Sequence, residues 1–307
     1  KTKKKQGAIL FMRKQFITIV LCLCLFLGLA AQAVAPEARA LGVDPVMVSD
    51  YTPVHAVLTA ATEETQQTNF RVNGVYTAQD LKMSVHNQTT YISLRDMAQA
   101  LRPGISLDWN GKQATVSADN LLITAVPGEH YLIANGRYLY IADGVMFEDG
   151  AVMVPVRVLA KAFDASVTWD AVSGISVTTG SGALKPAEQF YNEEDLYWLS
   201  HIICAESGNQ PLVGQIAVGN VIMNRVAANN CPNTIKGVIF QRGQFQPVQN
   251  GSVYNTPYPV SVIAAKLVLD GAVTVNNAMF FCQSRLGGWM ARSRPFVTTI
   301  GGHAFYA

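Results

Sequence analysis

From about Asn69 to Thr179, apolar and polar residues alternate in short runs, broken by turn-forming pairs at Asn73-Gly74, Asn110-Gly111, Asn135-Gly136 and Asp149-Gly150. A period of two with such breaks predicts a strand-rich module over residues 69–180. From Asn192 the period lengthens. Leu196, Leu199, Ile203 and Glu206 recur at steps of three, four and three, which places them on one face of a helix. Asn192 stands as the N-cap, and Glu193, Glu194 and Asp195 fill the first turn, where the helix dipole favours acids. Residues 181–191, opening on Gly180-Ser181-Gly182, read as a linker. Residues 41–68, rich in Thr, Ala, Gln and Glu without a sustained period, read as a flexible tether. The expected class is α+β in two domains, a strand-rich module followed by a mostly helical domain over 192–307.

The strand-rich module contains an internal repeat. Tyr91-Ile92-Ser93-Leu94-Arg95 matches Met153-Val154-Pro155-Val156-Arg157. Each run is followed by apolar residues at helical spacing and then by a strand ending near Trp109 or Trp169. The offset is 62 at Arg95 and Arg157 and 60 at the tryptophans. Each unit reads as strand, short amphipathic helix, strand, so the module is expected to be duplicated. The repeat resembles the copper amine oxidase N-terminal-like module, or stalk domain, found duplicated in exported proteins of Gram-positive bacteria. The resemblance implies a spacer or wall-binding unit. It does not imply a metal here, because only His86 and His130 could supply imidazole and no ligands surround them at suitable spacing. Trp109 and Trp169 suit stacking on sugar rings, although equivalent positions in two repeats are more commonly core positions.

Export is predicted at the N-terminus. The uncharged run from Gln15 to Pro36 follows the basic residues Lys1, Lys3, Lys4, Lys5, Arg13 and Lys14, and ends in small residues suited to cleavage, preferably after Ala40. Residues 1–40 are therefore expected to be a signal peptide of a secreted, wall or spore-envelope protein; left uncleaved, the same run would anchor the chain in a membrane. Beyond it lie Cys204, Cys231 and Cys282, which allow at most one internal disulfide. Half of the 307 residues are apolar and 14% are charged, so the chain is not mainly disordered. Its net charge of +2 gives no case for a nucleic-acid partner.

Charge becomes informative when read locally. From Leu196 to the C-terminus, seven Lys and Arg residues face only two acids, Glu206 and Asp270. Asp270 precedes Gly271 at the end of a helical run and reads as a turn residue. Glu206 falls on an apolar stripe, and two readings follow: buried there, its charged form is disfavoured and its pKa rises toward that of a general acid, or, lying at the helix end, it swings to solvent past Gly208 and does nothing. If the segment is a glycosidase, one carboxylate fits neither the inverting nor the retaining scheme. One acid is enough if the substrate supplies the nucleophile. In peptidoglycan the N-acetylmuramic acid 6-hydroxyl can attack its own anomeric carbon, and the acid then takes that hydroxyl's proton. This is lytic transglycosylation.

Several motifs in order carry a second resemblance: Cys204-Ala205-Glu206-Ser207-Gly208-Asn209-Gln210, the run Gly214 to Val226, then Pro232-Asn233-Thr234-Ile235, Gly243-Gln244-Phe245 and Ile300-Gly301-Gly302-His303-Ala304-Phe305-Tyr306. Together they resemble the SleB-type cell wall hydrolases, or spore cortex-lytic enzymes. The resemblance implies a lysozyme-like, mostly helical domain that cleaves the peptidoglycan glycan with Glu206 as its acid and without a cofactor or metal. It also implies a groove lined by Asn224, Gln244, Phe245 and Tyr306, with His303 structural. Where the family commonly continues Ala-Glu with Ala-Arg-Gly-Glu, this chain has Ser207-Gly208-Asn209-Gln210, which removes a charged pair beside the acid. Trp289, with Arg285, Arg292 and Arg294, lies in a Gly-rich loop that is either wall-facing or merely solvated. The rival readings are a hydrolytic muramidase, a peptidase with Cys204 as nucleophile and His303 as base, and a non-catalytic wall-binding or scaffold protein.

Overall fold

The computed structural model describes residues 70–77, 80–284, 288 and 290–307, and they lie within one compact unit. The expected signal peptide and tether, Arg285 and Trp289 lie outside the described residues. No helix among those described is long and apolar enough to cross a membrane.

The strand-rich region runs β1 (Phe70–Val72), β2 (Val75–Tyr76), β3 (Met83–His86), β4 (Thr89–Ser93), α1 (Leu94–Leu101), β5 (Ser106–Trp109), β6 (Ala114–Ala118), β7 (Leu121–Ala125), β8 (Tyr131–Ala134), β9 (Arg137–Tyr140), β10 (Met146–Glu148), β11 (Ala151–Pro155), α2 (Val156–Ala162), β12 (Ser166–Asp170) and β13 (Gly174–Thr178). A five-stranded meander is formed by β5 to β9. A second sheet has the order β10-β11-β4-β3, and a third the order β12-β13-β1-β2. At the centre of the second sheet β4 and β11 pair antiparallel, with Ile92 opposite Val154. Hairpin turns account for several connections. Asn135 and Gly136 between β8 and β9, and Asp149 and Gly150 between β10 and β11, all take positive φ, as the tight hairpin turn requires. Helix α1 starts at Ser93, whose Oγ accepts from the Asp96 N–H at 3.2 Å, and it buries Leu94, Met97 and Ala98 against the sheet.

The helical region runs α3 (Ala187–Phe190), α4 (Glu193–Ser207), α5 (Leu212–Ala227), α6 (Ile235–Ile239), α7 (Gln246–Asn250), α8 (Pro259–Leu269), β14 (Phe280–Gln283), α9 (Met290–Ser293), β15 (Phe296–Ile300) and β16 (His303–Tyr306). Its core gathers Leu199 and Ile203 of α4, Ile216 and Val221 of α5, Leu267 of α8 and Phe305 of β16. The helices approach closely at Gly219 of α5. A Cβ there would come within 2.7 Å of Val268 Cγ2 and 3.0 Å of Ile203 Cδ1. Buried polar groups are paired as burial demands: Ser261 donates to Gln215 Oε1 at 2.7 Å, and Asn220 Nδ2 donates to the Ala272 carbonyl at 2.7 Å. The three-stranded sheet β14-β16-β15 closes the region.

Two places carry contacts that the sequence does not show. Residues 181–191 are fastened rather than free. Asn135 Nδ2 donates to the Leu184 carbonyl at 2.8 Å, Ala187 N donates to the Asn135 carbonyl, and the Phe190 ring lies 3.3 Å from the Arg137 guanidinium carbon. Asp270 sits in the turn that ends α8, as expected, and is also buried where the two regions meet. Its carboxylate accepts from Arg137 Nη2 at 2.5 Å and from the Tyr191 hydroxyl, while Lys161 Nζ donates to its backbone carbonyl at 2.7 Å. An acid at a helix C-terminus opposes the dipole, and the cations from β9 and α2 offset it.

Candidate active site

Glu206 is placed by the last turn of α4. Asn192 caps the other end, its Oδ1 accepting from the Asp195 N–H at 3.0 Å. The stripe holds as expected: Leu199 and Ile203 are buried, and Leu196 and Glu206 are half-buried. Glu206 opens into a cleft of about 600 Å³, whose other walls include Tyr258, Gln283, Ser284, Gly302 and His303. No second carboxylate lines it among the described residues. Burial pushes the Glu206 carboxyl up to about 7, and no ion pair or hydrogen bond among the described residues opposes that shift. A carboxyl so tuned holds its proton near neutral pH and can release it.

Three segments are tied together around the acid. The loop after α4 is held by Gln210, whose Oε1 accepts from the Gly302 N–H at 2.7 Å. Gln215 Nε2 in turn donates to the Gln210 carbonyl at 2.9 Å, and the Ser284 N–H donates to the Gly302 carbonyl at 2.9 Å. Within the stretch that departs from the family pattern, the Gln210 amide thus supplies an acceptor to Gly302. Tyr258 is held against the end of α4, its N–H meeting Cys204 Sγ at 3.3 Å and its ring close to Gly208. His303 is only 6% exposed, and burial lowers its pKa, so the imidazole is neutral near pH 7. Its buried Nδ1 has no hydrogen-bond partner among the described residues.

The four side chains expected along the groove lie elsewhere. Gln244, Phe245 and Asn224 surround or adjoin Arg225, a buried cation that needs acceptors. Arg225 Nη1 donates to Gln244 Oε1 at 2.7 Å and Nε to the Met279 carbonyl at 2.7 Å, while its guanidinium carbon lies 5.5 Å from the Phe245 ring centre. Asn224 Nδ2 donates to the Ala278 carbonyl at 2.9 Å. Tyr306 is buried in β16, its ring edge-on to Phe296. None of the four is among the residues lining the Glu206 cleft. Tyr258, Gln283 and Ser284 are the lining residues that the sequence did not single out. A signal existed in Arg225 itself, since the one charged residue of a largely apolar helix demands nearby acceptors.

Other candidates fall away from the cleft chemistry. Cys204, Cys231 and Cys282 are free thiols. Cys204 lines the cleft, but its sulfur faces the Tyr258 N–H and His303 offers it no hydrogen bond. Among the described residues no group of three or more His, Cys, Asp or Glu side chains is arranged to hold a metal ion.

Known proteins resemble both regions. The family model for the Cell Wall Hydrolase matches residues 209–306, and that for the copper amine oxidase N-terminal domain matches residues 71–177. The first range starts three residues after Glu206, so the case for the acid itself rests on geometry. The C-terminal segment thus matches the cell wall hydrolase family, and the segment before it matches the copper amine oxidase N-terminal domain.

Among individual relatives, the spore cortex-lytic enzyme of Bacillus cereus is 32% identical over 117 residues, which are 38% of this chain and 45% of that protein. The spore cortex-lytic enzyme of Bacillus subtilis is 27% identical over 117 residues, 38% of each chain. The catalytic domain of the germination-specific lytic transglycosylase SleB from Bacillus anthracis is 31% identical, with a TM-score of 0.36, over 38% of this chain and 97% of that one. The chain spans less than half the length of these spore cortex-lytic enzymes.

Proposed function

We propose that the chain is an exported peptidoglycan glycosidase, a lytic transglycosylase that cleaves between N-acetylmuramic acid and N-acetylglucosamine with Glu206 as its single acid and base. The observation that carries this reading is the isolation of Glu206: a half-buried carboxyl held near 7 in a cleft with no second carboxylate among its described lining residues. Two-carboxylate schemes have no partner for it there. Protonated Glu206 gives its proton to the glycosidic oxygen as the bond to the muramoyl anomeric carbon breaks. The carboxylate then takes the proton of the 6-hydroxyl as that oxygen bonds to the same carbon. A 1,6-anhydro end results, no water is consumed, and Glu206 returns to its starting state.

The amides of Asn209, Gln210 and Gln283 suit N-acetyl and hydroxyl groups, because each donates and accepts. Asn224, Gln244, Phe245 and Tyr306 act behind this surface, through Arg225 and the β14-β16 pairing. The names of the relatives support spore cortex or wall peptidoglycan as the substrate and an envelope location.

The domain plan we adopt is a signal at 1–40, a tether at 41–68, a stalk at 69–180, a connecting segment at 181–191 and a hydrolase domain at 192–307. We further read the stalk as duplicated. Ile92 pairs with Val154, its own counterpart 62 residues on, and Ser93 and Tyr91 pair with Met153 and Pro155 in the swapped sense that a local two-fold axis produces. The hairpin turn at Asn87 and Gln88 takes the same positive φ as its counterpart at Asp149 and Gly150.

Mass spectrometry of soluble products tests the reaction. Purified peptidoglycan incubated with residues 41–307 is expected to release anhydro-muropeptides, and with the Glu206→Gln form none. Reducing ends would replace transglycosylation by hydrolysis with water, and no products from the parent would leave a wall-binding protein.

A further inference from the structure

The stalk carries two exposed aromatic clefts that the reaction does not use. The first, of about 250 Å³, is lined by Trp109, Phe147, Arg95 and Asp108 among others. The Trp109 and Phe147 rings lie 5.5 Å apart and 16° from parallel, yet 40% and 52% of these residues remain exposed. The second, of about 360 Å³, is lined by Trp169, Arg157, Gln88, Thr89 and Thr90 among others. Trp169 is 65% exposed. The expectation that equivalent tryptophans are core residues is therefore corrected: both face solvent.

The two clefts match position by position. Arg157 stands 62 residues after Arg95, Trp169 stands 60 after Trp109, and Gln88, Thr89 and Thr90 stand 62 before Gly150, Ala151 and Val152, which line the first cleft. In both, the strand pair that ends in the tryptophan supplies the floor and the hairpin of the other repeat supplies the wall. Solvent-facing indoles contribute little to a core, and keeping one in each repeat beside an arginine points to a ligand. Arg157 is held in place by the Val167 carbonyl at 3.0 Å, and Arg95 has no hydrogen-bond partner among the described residues.

We infer that Trp109 with Arg95, and Trp169 with Arg157, form a pair of related subsites that hold the glycan strand of peptidoglycan on the stalk. This inference rests on the duplicated stalk and the wall substrate proposed above. An indole offers a flat apolar face to the C–H side of a pyranose ring. A guanidinium offers paired donors to the lactyl carboxylate of muramic acid, and the Thr and Gln side chains suit ring hydroxyls and N-acetyl groups. Two sites on one rigid body raise the apparent affinity for a polymer well above that of either site. The stalk would then hold the hydrolase domain on the wall between cleavage events.

The test uses residues 41–307 in the Glu206→Gln background, so that the wall stays intact, and measures sedimentation with insoluble peptidoglycan. Trp109→Ala and Trp169→Ala are each expected to weaken binding roughly threefold to tenfold, and the double variant by more than either. Thermal unfolding of the variants checks folding, and Trp109→Phe should recover part of the loss. With Glu206 restored, product release from short soluble glycan fragments should be unchanged by either tryptophan substitution. A folded double variant that sediments like the parent overturns the inference, even if product release proceeds. Failure of product release in the parent, with tryptophan-dependent sedimentation intact, would overturn the catalytic reading alone.

Discussion

Arg137 of β9 and Asp270 at the C-terminus of α8 meet 133 residues apart in sequence, with Nη2 2.5 Å and Nε 3.1 Å from the same carboxylate oxygen. They are 5% and 8% exposed. Tyr131, Tyr138 and Tyr140 of the strand-rich region pack onto the helical core beside them. The strand-rich region is in this sense part of the helical region's framework, and removing one ionic partner should disturb both. Asp270→Ala leaves Arg137 buried and unpaired, at a cost of about 3–5 kcal/mol. Urea unfolding should show this, and replacing both partners by Leu or Met should recover much of it. A single-variant loss below about 1 kcal/mol would show that the pair does not fasten the regions.

The catalytic proposal has a pH signature. Glu206 must be protonated to act as the acid, so the rate should fall as pH rises through about 7 and the proton is lost. The same shift affects folding. Because the folded pKa lies above the ordinary carboxylate value, the folded state holds the proton more tightly, and stability declines as pH rises from about 4.5 to about 7. Glu206→Gln removes that slope and should be the more stable form at pH 8, by on the order of 2 kcal/mol. Unfolding midpoints of both forms at pH 4 and pH 8 check this. Equal pH dependence in the two would mean that the carboxyl is not held up by burial.

Much of this arrangement was legible because it is local. The Asn192 cap, the stripe that carries Glu206 and the turns at Asn135-Gly136 and Asp149-Gly150 depend on residues within a few positions of one another. The match between Arg95 and Arg157 is also visible without coordinates. What could not be read depends on the partner across the fold. A period of two shows that Trp109 and Trp169 share a type of position, but not whether anything covers that face of the strand. Gln283, Ser284 and His303 share the Glu206 cleft through the pairing of β14 with β16. The resemblance and amide chemistry together point Gln244 and Asn224 at sugar, and the buried Arg225 accounts for why the first faces inward.

Gln210 offers a test of the altered stretch after the acid. Its Oε1 is the acceptor for Gly302 N–H, so Gln210→Ala should cost about 1 kcal/mol and loosen the wall of the cleft. Gln210→Glu keeps an acceptor of nearly the same shape and should stay within about 0.5 kcal/mol of the parent. Thermal unfolding of the two variants distinguishes them; equal losses would mean that the Gly302 contact is not what holds the loop.

The close approach at Gly219 leads to a packing prediction. Introducing Val there drives side-chain atoms into Val268 and Ile203, and overpacking of this kind costs roughly 1–3 kcal/mol. Alanine is the subtler case. Its single Cβ meets Val268 Cγ2 at 2.7 Å, but it also recovers up to about 1 kcal/mol of helix propensity. Gly219→Ala should therefore be mildly destabilising alone and closer to neutral when Val268→Ala makes room, apart from the cavity cost of that second change. A double-mutant cycle by denaturant unfolding gives the coupling directly. Additive losses would mean that α5 and α8 separate freely to admit the methyl group, and the tight helix contact would then not set the position of the α4 end that carries Glu206.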